Sequence, residues 1–141
     1  MFLTNLRTTL QTHQPLIDYF TSHYGKDAKH YIGYKRAPSA NDYPSICYVP
    51  VRSQLGGDFF DHHRVSLVIG VHEDGITNDV FDGVARLDDI VQIIFKLLYE
   101  YNDVNGSYIE GEFVVNNDLS MRHPFHEAEI QFNYFTRRGQ L

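Results

Sequence analysis

The chain carries one cysteine and no tryptophan. A lone Cys47 excludes an internal disulfide and any zinc site built on several thiolates. It lies in the apolar run Ile46-Cys47-Tyr48-Val49, so it reads as a small core residue rather than a reactive thiol. No run approaches the ~20 apolar residues of a membrane-spanning helix. The start, Met1 to Arg7, offers no apolar leader segment. The expectation is a protein made and kept in a cytoplasm, without membrane contact. Positive charge is scarce: 12 Lys and Arg stand against 18 Asp and Glu, a net charge of −6. The adjacent basic pairs are Lys35-Arg36 and Arg137-Arg138. A DNA-coating protein needs clustered cations, so the charge argues against that class. Catalytic signatures are missing too. There is no H-E-x-x-H, nucleophile elbow, phosphate loop or dinucleotide fingerprint. Neither an enzyme nor a cofactor is expected.

What the chain has is length for one domain, 141 residues, and many aromatic rings, ten Phe and ten Tyr. That is more than a core of this size easily hides. Either some rings serve an interface, where aromatics are enriched, or the sheet is rich in Tyr, because aromatics favour strands.

The apolar pattern sets an order of elements. Leu3, Leu6, Leu10, Ile17 and Phe20 recur at helical spacing, with Leu16 and Tyr19 beside them. Pro15 divides this stretch, which predicts a helix to about Gln14, a second piece from Pro15, and a stop at Gly25. Lys29 to Tyr34 reads as a short edge strand. Residues 45–51 read as a strand with Cys47, Val49 and Val51 on one face and Ile46 and Tyr48 on the other. Its Pro50 belongs at an edge or bulge. Residues 64–72 put Val65, Leu67, Ile69 and Val71 on one face. A helix is predicted over 87–101, from the stripe Val84, Leu87, Ile90, Val91, Ile94, Leu97, Leu98 and Tyr101. Asp88 and Asp89 are placed at its N-terminal end. Ile93 and Phe95 widen the stripe, which calls for a second neighbour such as the N-terminal helix or another subunit. Residues 107–115 and 127–137 close the chain as strands. In the last, Ala128, Ile130, Phe132 and Tyr134 alternate with Glu127, Glu129, Gln131 and Asn133, as an antiparallel sheet with one wet face requires. The expected fold is α+β over 1–141: a mainly antiparallel sheet with a β-β-α-β-β core, one long amphipathic helix packed on it, and an additional N-terminal helix.

Two polar loops interrupt the strand pairs. The segment 54–63 is too long for a tight hairpin and holds Phe59 and Phe60 beside Gly56-Gly57, which makes it a candidate contact arm. The segment 116–125 is the other. Eight histidines invite a metal reading, at His62, His63, His72, His123 and His126. Yet His62 and His63 point apart if extended, and His123 and His126 straddle Pro124. Glu110 and Glu112 fall on one strand face, which reads as acid–base chemistry or an ordinary wet face.

The element order resembles the tail-terminator and tail-completion (head–tail joining) proteins of long-tailed bacteriophages. The entry Asp42-Tyr43-Pro44-Ser45-Ile46-Cys47-Tyr48-Val49 is similar to the start of their first core strand. The long loop, second strand, single helix and closing strand pair follow in the same order. The resemblance implies a virion protein at the tail–head junction, made in the host cytoplasm. It implies a homo-oligomeric ring, commonly a hexamer, that caps the tail tube, meets the head connector and lets DNA pass without specific binding. On that basis Leu55, Asp58, Phe59, Phe60, Leu119, Met121 and Phe125 are expected at subunit or tail-tube contacts. Glu110, Glu112, Glu127 and Glu129 are expected to face the channel. A small His-based metal protein or enzyme, or a monomeric interaction module, are the alternatives.

Overall fold

In a computed structural model that describes residues 2–34, 39–101, 106–117 and 123–137, the N-terminal periodicity becomes two helices. They are α1 (Phe2–Gln11) and α2 (Gln14–Tyr24). Leu3, Leu6 and Leu10 are buried on α1, and Leu16 and Phe20 on α2. Pro15 lies in the first turn of α2, and Gly25 ends that helix with φ 71°, a left-handed conformation that glycine adopts without strain.

The sheet follows as β1 (Lys29–Ile32), β2 (Ser45–Gln54) and β3 (Phe60–His72). A two-stranded hairpin, β4 (Ile76–Thr77) and β5 (Val80–Phe81), leads into α3 (Asp82–Tyr99). The chain then forms β6 (Tyr108–Asn116) and β7 (Phe125–Arg137). The five-stranded sheet has the order β1-β2-β3-β7-β6. Every pairing in it is antiparallel except β1 with β2. The fold is therefore α+β, with the expected β-β-α-β-β order and the β4–β5 hairpin inserted before the helix.

The core lies on one face of the sheet, under all three helices. Leu87, Ile90, Val91, Ile94 and Leu98 of α3 meet Ile46, Tyr48, Val65, Leu67, Ile69, Ala128, Ile130 and Phe132. The second neighbour of α3 is α2: Tyr19 Oη donates to Asp89 Oδ2 at 2.8 Å. Phe95 instead packs edge-on against Phe113 of β6.

Four expectations change. The helix begins at Asp82, so Asp82 is its first-turn acid, while Asp88 and Asp89 lie nearly two turns further in. Val84 is 38% exposed and leaves the stripe. Ile46 and Tyr48 are the core-facing pair of β2, whereas Cys47 is buried on the opposite face with Val68 and Tyr43. That opposite face is thus dry at its centre, where Ser66 and Val68 are 2% and 4% exposed. Finally, β2 and β3 extend toward each other, so the supposed ten-residue arm shrinks to a connection of residues 55–59. Pro50 sits beside a register shift between Pro50 and Arg52, the bulge that a residue without an N–H donor calls for.

Candidate functional site

The expected contact residues do not form one surface. Leu55, Asp58 and Phe59 gather at the tip of the β2–β3 hairpin, with Leu55 and Phe59 each 72% exposed. Phe60 is not a free tip residue. It is the first residue of β3, half-buried, with its ring edge-on to Tyr108 at 5.1 Å. Phe125 lies at the other end of the sheet. The register pairs Phe60 with Arg137 and His72 with Phe125, so Phe60 and Phe125 are at opposite ends of the β3–β7 pair. Phe125 packs there against Tyr43 and His72. Leu119 and Met121 lie outside the described residues.

The acidic residues divide as well. Glu127 and Glu129 share the sheet face away from the helices, and Glu110 joins that face opposite Asn133. Glu112 does not share their regular alternation. Gly111 takes φ 96° and the register shifts between Glu110 and Val114, so the strand bulges between the two glutamates. Glu127 accepts from Tyr43 Oη at 3.2 Å. Glu129 accepts from Ser66 Oγ and from Asn116 Nδ2. Burial would raise the Glu129 carboxyl, but the bonds from Ser66, Gln131 and Asn116, with Arg64 nearby, outweigh it and hold it below the usual range.

The same face changes sign toward the hairpin. Arg52, Gln54, His62, Arg64 and Asn133 line a groove of about 300 Å³. Cross-strand pairing puts them together: Arg52 opposes Arg64, Gln54 opposes His62, and Arg64 opposes Asn133. Arg64 donates to Asn133 Oδ1 at 3.0 Å and to Gln131 Oε1 at 3.4 Å. His62 stacks on Phe135 at 4.7 Å, and Phe135 stacks on Tyr108 at 5.0 Å, which stiffens one wall. Among the described residues no carboxylate lines the groove, although Glu110 stands at its margin.

The histidines separate as strand geometry requires. His62 faces the groove, while His63 turns to the helix side. The His63 ring nitrogens meet Ser53 Oγ at 2.7 Å and Thr136 Oγ1 at 3.0 Å, and Phe2 covers the ring. Burial lowers its affinity for a proton. His123 and His126 do converge despite Pro124, with Nδ1 and Nε2 3.1 Å apart. Among the described residues, no three His, Cys, Asp or Glu side chains come together to hold a metal. No described helix is long and apolar enough to cross a membrane.

The β4–β5 hairpin is not among the elements expected from the sequence. Asn78 and Asp79 have φ of 52° and 64°, the left-handed pair of a two-residue hairpin turn. Ile76, Val80 and Phe81 are exposed on it. An Asn-Asp pair between Ile-Thr and Val-Phe was the available signal. The groove had only a weak one, the alternation of polar residues at 52, 54, 62 and 64.

No protein-family model matches this chain, and no curated protein matches it.

Proposed function

We propose that this protein is a ring-forming, tail-terminator-like virion protein that closes the tail tube of a long-tailed bacteriophage and meets its head connector. One observation supports this reading above the others: the molecule exposes two different apolar surfaces at opposite ends of its central strand. At one end are Leu55 and Phe59; at the other are Ile76, Val80 and Phe81. The 13 residues of β3 separate them by about 40 Å at ~3.3 Å per residue. Two unlike, non-overlapping surfaces favour head-to-tail association, which closes into a ring when the rotation permits. Exposed apolar clusters of this kind mark interaction sites. In this reading Glu110, Glu127 and Glu129 face the channel and keep DNA phosphates from adhering, while Glu112 sits on the β6 bulge beside them.

The test is imaging and light scattering of the purified protein, alone and mixed with tail tubes. Rings, or capped tubes of arrested length, are expected. The variant Leu55→Ser with Phe59→Ser should stay folded by circular dichroism and lose ring formation or capping. A wild-type protein that remains monomeric at high concentration and neither caps nor binds tubes overturns the proposal.

A further inference from the structure

We infer that the groove of Arg52, Gln54, His62, Arg64 and Asn133 receives the β4–β5 hairpin of a second copy of this chain, with Asp79 entering between the two arginines. The inference rests on the head-to-tail reading above and names the partner surface within it.

Charge complementarity selects this occupant. In a chain of net charge −6, the groove collects two guanidinium groups and, among the described residues, no carboxylate in its lining. Arg52 is exposed, and among the described residues no carboxylate pairs with it. A carboxylate entering between Arg52 and Arg64 would meet the exposed Arg52 guanidinium, a group that binds such oxygens in a forked geometry.

The β4–β5 hairpin has the matching shape and charge. Asp79 is at the apex of a two-residue turn, the narrowest end a chain can present, and Asp74 flanks the same exposed segment. The groove, about 300 Å³ in volume, has room for the turn at the hairpin's tip. The apolar surroundings match as well. The groove shares its hairpin with Val51, Leu55 and Phe59, and Asp79 shares its own with Ile76, Val80 and Phe81; all six are exposed. Apolar burial around a central charge pair is the arrangement that excludes water from it. Glu110 at the groove margin and Asp58 on the tip would repel a carboxylate. They confine the entering Asp79 to the Arg52–Arg64 side.

Self-association is measured by sedimentation for the full chain and for Arg52→Glu and Asp79→Asn. Both positions are exposed, and Asn keeps the left-handed turn. Each variant should weaken association at least tenfold, and raising salt should weaken the wild type more than either variant. In parallel, an Arg52→Cys copy is mixed with an Asp79→Cys copy under mild oxidation. A disulfide-linked dimer should form in the mixture and not from either copy alone. Rings that persist unchanged in both charge variants, without the cross-link, overturn this contact and leave ring formation standing. A chain that never self-associates overturns ring formation and this contact together.

Discussion

The ring of Phe2 lies stacked on the imidazole of His63, with centroids 4.1 Å apart and planes 19° apart. Phe2 also stacks on Tyr134 at 5.3 Å. The first residue of α1 therefore closes the lower end of the core, above a histidine whose two nitrogens already hold Ser53 and Thr136.

Phe2→Ala removes that cover. The expected loss is about 1–3 kcal/mol, less than for a fully enclosed Phe because Phe2 is only half-buried. The His63 titration, followed by NMR, should move up toward the ordinary imidazole value as water reaches the ring. An unchanged titration would show that the stacking does not shield it.

Acid should weaken the fold before most carboxylates titrate. Burial holds His30 at about 4, against 6.5 for a free imidazole, beside the Tyr48 hydroxyl at 2.7 Å. Burial lowers His63 as well. A group whose folded value is depressed in this way binds its proton more readily when unfolded. Its stabilising effect is complete above pH 6.5 and is lost as pH falls toward 4. For His30 the ceiling is about 3 kcal/mol, reduced where solvent reaches the ring. Urea unfolding at pH 7, 5.5 and 4.5 should show this slope, and His30→Gln should flatten it.

Gly83 faces the His126 ring, and a Cβ there would stand 2.3 Å from His126 Cδ2. His126 is 3% exposed, and its ring is held by Phe81 and His123. Alanine would favour the helix by about 1 kcal/mol, so the clash decides the sign. Gly83→Ala should destabilise by a net 1–3 kcal/mol or about that, measured by thermal melting.

Deleting Gly56 to Asp61 should damage the fold as well as assembly, because Phe60 begins β3 and Asp61 is buried, with Oδ1 accepting from the Gly56 amide. By contrast, Leu55→Ser with Phe59→Ser should change stability by less than about 0.5 kcal/mol, since both side chains are exposed. Comparison of the two melting curves checks this.

Ser66→Ala should raise the Glu129 carboxyl, because it removes one of the bonds that hold the ionised form. Carboxyl NMR titration reads the shift directly. A titration at the wild-type position would assign the lowering to Asn116, Gln131 and Arg64 instead.

The elements easiest to foresee bury one face. On α3 the side chains Leu87, Ile90, Val91, Ile94 and Leu98 recur at helical spacing, and on β7 every second residue from Ala128 to Tyr134 is buried. The residues at 60–63 show the opposite case. Asp61 and His63 look like loop residues by polarity, yet they lie in β3 at 7% exposure. Their backbone pairs with β7, and their side chains find partners in Gly56, Ser53 and Thr136. Polar groups are buried when such bonds are available, and distant parts of the chain supply them.

The amino-acid order by itself determined the main helices and strands of the core, the division at Pro15, the stop at Gly25 and the α+β class. These depend on local backbone preference and on the period of the apolar residues. Only the tertiary structure decided which face of β2 meets the helices, where the β2–β3 hairpin ends and that Glu112 departs from Glu110. It alone brought Arg52 and Arg64 together and set Leu55 and Phe81 at opposite ends of β3. Those outcomes depend on strand register and on a bulge, and both are set by pairings between segments far apart in the chain.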